Sequence, residues 1–281
     1  MNFSINFNKN EQIITAGVLS SAQETEKSEE NIFDNSSFLE IDEEIGFTKQ
    51  SSTKGDCWLL AGLNVLSYSD VGNEIIHNAI TRKEDGSFEV FFKGVNKKVT
   101  LTEETLISAK QSGDYSTGDD DVLLLELAFE NIIDEIRNGN VKVKGYHPYL
   151  TVNYKDDDEA KTALDGGSFN DVMFLLSNKD THILTNKKKF DNVLNRIEKN
   201  NNYISSVLVF GNDNIHENEV IQDIYGNNIF KIPEEGSHAF SIKSVDGDNV
   251  IITNPHNSGE EYVVSRDTIK EYTKYMEFCI F

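Results

Sequence analysis

The sequence predicts an α+β protein of two lobes, helical in its N-terminal half and β-rich in its C-terminal half. Three observations carry this expectation. Apolar residues recur at helical spacing in two long segments, 57–68 and 121–137. Beyond residue 203 the chain changes to short stretches rich in Val, Ile, Phe and Tyr, set apart by turn residues. Adjacent glycines, Gly166 and Gly167, precede that change and allow backbone angles that other residues avoid. Helices first and strands afterwards is the pattern of an α+β fold, not of alternating βα units.

In chain order, Phe3, Ile5 and Phe7 alternate as in a short strand. From about residue 20 the chain is acidic and poor in large apolar residues, so it cannot bury enough surface to order itself. Residues 1–44 are therefore predicted to be a flexible acidic leader, 45–166 an N-terminal lobe, and 167–281 a C-terminal lobe. Within the first lobe, helices are expected at 57–68, 73–80 and 121–137, with strands at 87–93 and 97–101 turning at Gly94. In the helix at 121–137, Leu124, Leu127, Ala128 and Ile132 form an apolar stripe, and three aspartates stand at its positive end. The second lobe should hold helices at 170–176 and 190–199, then strands at 203–210, 238–245, 249–253, 261–265 and 276–281. Asp246, Gly247 and Asp248 join two of these as a hairpin.

A formal net charge of −22 opposes binding to nucleic acid or an anionic membrane. No apolar run is long enough to span a bilayer, so no membrane insertion is expected. The first residues lack the basic-then-apolar layout of a secretory signal, which predicts a cytoplasmic site of synthesis. Cys57 and Cys279 lie far apart and form no metal-binding spacing.

Cys57 follows a turn glycine and Asp56, a candidate N-cap, and it opens the apolar run Leu59, Leu60, Leu63 and Leu66. A thiol in the first turn of a helix is expected to ionise more readily than a free one. Without a base it would be no more than a small buried hydrophobe. Of the six histidines, only His238 stands where a glycine meets the start of a strand. Asn254, at the end of the next strand, can accept an imidazole N–H and fix the tautomer that leaves the other nitrogen for a thiol.

The stretch Gly55-Asp56-Cys57-Trp58-Leu59-Leu60-Ala61 resembles the catalytic cysteine motif of the calpains. The stretch from Ser237 to Ile242 is similar to their histidine strand, and Asn254-Pro255 to their asparagine motif. The stretch from Leu124 to Phe129 and the Gly166-Gly167 pair agree in order. The resemblance covers residues 45–281 and implies a papain-like, two-lobed cysteine endopeptidase acting on a polypeptide. It implies Cys57 as nucleophile, His238 as base and then acid, and Asn254 as the group that holds His238. Gln50 and the backbone N–H of Cys57 would serve the oxyanion. Gln50 stands one residue further from the cysteine than the family spacing, and His256 takes the place of the family's tryptophan. Thr48 and Lys49 occupy the region of an expected calcium ligand, so no cofactor is required and Ca²⁺ ligands are not identifiable. The acidic groups at 119–121 and 156–159 could bind Ca²⁺ weakly, but they lack the loop spacing of a calcium site. The rival readings are another acyl-transfer enzyme on the same triad, such as a transglutaminase or amidase, and a catalytically silent interaction module.

Overall fold

Carboxylates that receive backbone N–H groups hold the first described residues. In a computed structural model that describes residues 39–152, 162–211, 216 and 218–281, Glu40 N donates to Asp120 Oδ2 at 2.8 Å and Asp42 N to Asp121 Oδ2 at 2.9 Å. Leu39 and Ile41 pack on the adjoining core. Residues 39–44, read as the end of a flexible leader, are thus tied down by the aspartates they precede in space. The expected strand at Phe3–Phe7 and the acidic group at 156–159 lie outside the described residues.

Strand β1 (Thr48–Lys49) leads to helix α1 (Cys57–Ser67), in which every residue from Trp58 to Leu66 is buried. A helix apolar on all sides belongs in the middle of a core, and burying each of its four leucines contributes about 2 kcal/mol. Helix α2 (Asp70–Ala79) follows, with Ser69 Oγ accepting Gly72 N at 3.0 Å as its cap. Strands β2 (Ile80–Arg82), β3 (Phe88–Phe92) and β4 (Lys97–Leu101) form an antiparallel sheet. Helix α3 (Glu103–Ser112) and strand β5 (Thr117–Gly118), which pairs with β1, precede α4 (Asp120–Arg137). A short α5 (Pro148–Thr151) and α6 (Phe169–Ser177) complete the helical part.

Beyond it come β6 (His182–Leu184), α7 (Phe190–Lys199), β7 (Ile204–Gly211), the hairpin of β8 (Val220–Gln222) and β9 (Asn228–Lys231), and then β10 (Ser237–Asp246). The chain ends with β11 (Asn249–Asn254), β12 (Asn257–Ser265), α8 (Arg266–Tyr272) and β13 (Thr273–Ile280). Six of these strands form an antiparallel sheet in the order β12-β11-β10-β7-β13-β6. The fold is α+β, as the sequence predicts.

The sheet is covered on both faces. Val207, Val209 and Ala239 point into the helical core, while Leu208, Phe210 and Phe240 point into a second core with α7 and α8. Alternate side chains of one strand therefore enter different cores. This explains why β7 reads as a nearly continuous apolar run. Helix α1 lies on β10 and β7. Ser241 Oγ donates to Ala61 O at 2.9 Å, and Ser205 Oγ to Val65 O at 3.3 Å, so two buried hydroxyls set its position.

The glycine pair read as a junction has a packing role. Gly166 has φ +82°, and a Cβ added to Gly167 would lie 2.3 Å from Cε2 of Trp58. Helix α6, just past the pair, packs with α1 and α2. Trp58 is held on its other side by Nε1 donating to Leu164 O at 2.9 Å and by an edge contact with Phe129. Gly167→Ala should therefore lower stability by about 2 kcal/mol through overpacking. Because Trp58 is the only tryptophan, denaturant melts followed by its fluorescence report both the loss and the displaced ring.

Candidate active site

Two chain segments meet at the site because α1 lies on β10. Cys57 is the first residue of α1 and His238 the second of β10. The hydrogen bond from Ser241 to Ala61 lies one turn further along the helix and three residues further along the strand. Both residues line a cleft of about 440 Å³, together with Gln50, Gly166, Gly167 and Tyr275.

Asp56 occupies the N-cap position of α1, but its side chain makes no cap bond. Its backbone carbonyl accepts Leu59 N at 2.9 Å and Leu60 N at 3.1 Å, while its fully buried carboxyl turns away to accept Gln50 Nε2 at 2.9 Å. The expectation of a side-chain cap is corrected accordingly. The expectation of an acidified thiol is also corrected. Burial pushes the Cys57 thiol up to about 11, and the neighbouring Asp56 adds to the rise. The N–H groups of Ala239, Trp58 and Cys57 itself face the sulfur and lower the value, but not by enough. Taking a thiolate out of water costs more here than the helix start and three amide dipoles return.

His238 pairs with Phe210 of β7 in the sheet. Its Nε2 lies 2.7 Å from Oδ1 of Asn254, the last residue of β11. That same Oδ1 accepts the backbone N–H of His256 at 3.0 Å. An atom that accepts a main-chain N–H is the amide oxygen, so His238 Nε2 is the donor and Nδ1 carries the lone pair. The ring stacks on Phe230 at 5.1 Å, meets Phe240 edge-on at 5.0 Å and lies 4.3 Å from His256. His256, which stands where the resembled family has tryptophan, thus covers the same imidazole. Burial brings the His238 value down to about 4, with the bond to Asn254 opposing and the neighbouring His256 assisting. Thiol and imidazole are both neutral near pH 7.

Gln50 lines the same cleft as Cys57. Its backbone N donates to Pro255 O at 2.9 Å, and its Nε2 donates to Lys54 O at 3.0 Å as well as to Asp56 Oδ1. Both amide protons are engaged, and Oε1 is buried without a donor. The structure therefore brings Cys57, His238 and Gln50 to one cleft and sets Asn254, which does not line it, against the imidazole of His238.

Neither a protein-family model nor a curated relative matches this chain.

Among the described residues, no group of three or more His, Cys, Asp or Glu side chains is arranged to hold a metal ion. The carboxylates of Asp119, Asp120 and Asp121 receive the backbone N–H groups of Gly46, Glu40, Asp42 and Glu43. No described helix is long and apolar enough to cross a membrane. The sequence reading missed Glu126, fully buried on α4 and directed at Asp56. Its signal was a charge between Leu125 and Leu127 in an otherwise apolar stretch.

The depressed His238 value has a measurable consequence. The unfolded imidazole titrates near 6.5 and the folded one near about 4, so the unfolded chain binds more protons between those values. The contribution of His238 to stability is complete above the upper value and is lost as pH falls toward the lower one. Denaturant titrations across this interval should show a shallower acid loss for His238→Gln than for the unaltered protein. Alkylation of resting Cys57 by iodoacetamide should keep rising with pH toward about 11; a plateau reached below neutrality would contradict the neutral pair.

Proposed function

We propose that this chain is a papain-like cysteine endopeptidase of calpain-like type, with its substrate polypeptide extended across the cleft between a helical and a β-rich lobe. The observation that carries the reading is the 2.7 Å contact of His238 Nε2 with Asn254 Oδ1, on an imidazole that shares a cleft with Cys57. A buried histidine anchored through Nε2 and held between aromatic faces is oriented, and its remaining nitrogen is the one free to move a proton.

In this reading the thiol stays protonated until substrate arrives. Cys57 Sγ attacks the peptide carbonyl carbon while His238 Nδ1 takes the thiol proton, so charge separates only as the new C–S bond forms. The carbonyl oxygen becomes an oxyanion at the backbone N–H of Cys57, and Gln50 Nε2 donates to it by giving up the Lys54 carbonyl while keeping Asp56 Oδ1. Collapse breaks the C–N bond, and His238 returns its proton to the departing amine. Water, deprotonated by the same Nδ1, then hydrolyses the thioester and restores the thiol. Asn254 keeps the imidazole in one tautomer and stabilises the imidazolium formed in each half-reaction. Cys57 and Cys279 are both free thiols, which suits a reducing, cytoplasmic compartment.

A second reading, a silent module that keeps the fold, draws on the raised thiol and lowered imidazole values. The two separate in one experiment: incubation of an unstructured polypeptide with the protein, with and without Ca²⁺. Peptide cleavage that disappears in Cys57→Ala supports the endopeptidase; ammonia or isopeptide products assign the other acyl-transfer chemistry; no turnover in either buffer assigns the silent module. Dependence on Ca²⁺ in the same assay reports whether a calcium site exists at all. Asn254→Ala should cut kcat/KM by about ten- to a hundredfold, through loss of the oriented base, with a smaller effect on KM measured in the same steady-state assay.

A further inference from the structure

Behind Cys57 lies a pair of carboxyl groups that the reaction does not consume. Asp56 and Glu126 are both fully buried, and they lie within hydrogen-bonding reach of each other. Three of their surroundings are accounted for. Asp56 Oδ1 accepts Gln50 Nε2, and one oxygen of Glu126, Oε2, accepts both the N–H and the hydroxyl of Ser116. Lys54, whose charge acts on Glu126 against the rise, makes its contacts elsewhere: its Nζ is 3.1 Å from Glu130 and lies over the ring of Tyr115, whose hydroxyl donates to the same glutamate. That leaves Asp56 Oδ2 and Glu126 Oε1, both buried and both without a donor. Two ionised carboxylates facing each other out of water, with no donor between them, are strongly disfavoured.

We propose that Asp56 and Glu126 hold one proton between Asp56 Oδ2 and Glu126 Oε1, and that this shared-proton pair is the positioning element that fixes Gln50 beside Cys57. The Gln50 part rests on the endopeptidase reading; the shared proton does not. One proton satisfies both orphaned oxygens and leaves Asp56 Oδ1 and Glu126 Oε2 free to accept from Gln50 and Ser116. It also reduces the charge beside the Cys57 sulfur from two to one. Burial raises both carboxyls, and for Asp56 the charge of Glu126 raises it further, in keeping with a retained proton. Because Gln50 Oε1 is itself without a donor, the hold of Asp56 and of the Lys54 carbonyl on Nε2 is what orients this amide.

Amide substitution tests the proton, because an amide is a carboxylic acid with a fixed donor. In Glu126→Gln the new NH₂ can point at Asp56 Oδ2 while the oxygen keeps Ser116. In Asp56→Asn the new NH₂ can point at Glu126 Oε1 while the oxygen keeps Gln50. The double variant sets two NH₂ groups face to face. Each single change should therefore move the melting temperature of the full chain by about 2 °C or less, whereas the double should lower it by about 8 °C, far beyond their sum. A double variant no worse than the sum of the singles overturns the shared proton, as does a large rise in either single, which would show two repelling ionised groups. The Gln50 part is read in turnover. The double variant should lose about tenfold in kcat with little change in KM, and the same double change added to Gln50→Ala should cost nothing further. A loss that persists in that background overturns the positioning of Gln50. Failure of the unaltered protein to cleave any peptide rejects the endopeptidase reading instead, and the melting cycle still decides the proton.

Discussion

The site depends on one packing contact, the seating of α1 on the face made by β7 and β10. The burial of α1, four of whose residues are fully buried leucines, drives its packing, and two serine hydroxyls, Ser241 to Ala61 and Ser205 to Val65, fix its register on the sheet. Apolar burial alone is not directional; the hydroxyls convert it into a unique placement. Because a helix advances about 1.5 Å and a strand about 3.3 Å per residue, anchoring Ala61 to Ser241 determines where both element starts fall. Cys57 and Ala239 come together for that reason, and the neighbour of Ala239 is His238. The meeting of Cys57 and His238 at one cleft is a consequence of the core.

Burial also decides the charge state of the site. The helix start and nearby amides favour a thiolate, and Asn254 favours an imidazolium, but desolvation outweighs both and holds each group neutral. The two outcomes reinforce each other, since neither group offers the other a charge to pair with. A neutral thiol and an oriented neutral imidazole thus face the same cleft. The aromatic enclosure by Phe230, Phe240 and His256 that orients the imidazole is the same enclosure that removes its water.

Much of this was legible in the sequence, and the limits have physical causes. Helices α1, α4 and α7 were readable because their apolar spacing is long and regular, and the hairpin of β10 and β11 because Gly247 marks its turn. Helix α3 was missed although its signals exist: Thr102 caps it, two glutamates fill its first turn and Gly113 ends it with φ 74°. Only Leu106 and Ala109 are buried in it, so it carries almost no apolar stripe. Order in the chain identified Cys57, His238 and Asn254, but no sequence pattern reports desolvation, and so the direction of the thiol shift was read wrongly. Asp56 was read by local rule as a cap. A tertiary partner seventy residues away in sequence, Glu126, redirected it, and propensity has no access to such a partner.

The remaining question is how one wall of the cleft keeps step with the other. The segment at 48–50 joins them. Thr48 N donates to Ser258 Oγ at 2.7 Å, and its hydroxyl lies 3.3 Å from Asn64 Oδ1 on α1. Two residues on, Gln50 N holds Pro255 O while the Gln50 amide holds Asp56. Pro255 follows Asn254, which holds the His238 ring; Asp56 precedes Cys57. Gln50 is therefore bonded both to the Asn254-Pro255 turn and to the start of α1. Gln50, Cys57 and His238 are thus joined by one short path of hydrogen bonds and chain neighbours, and a change that loosens Gln50 removes a link to each end of it.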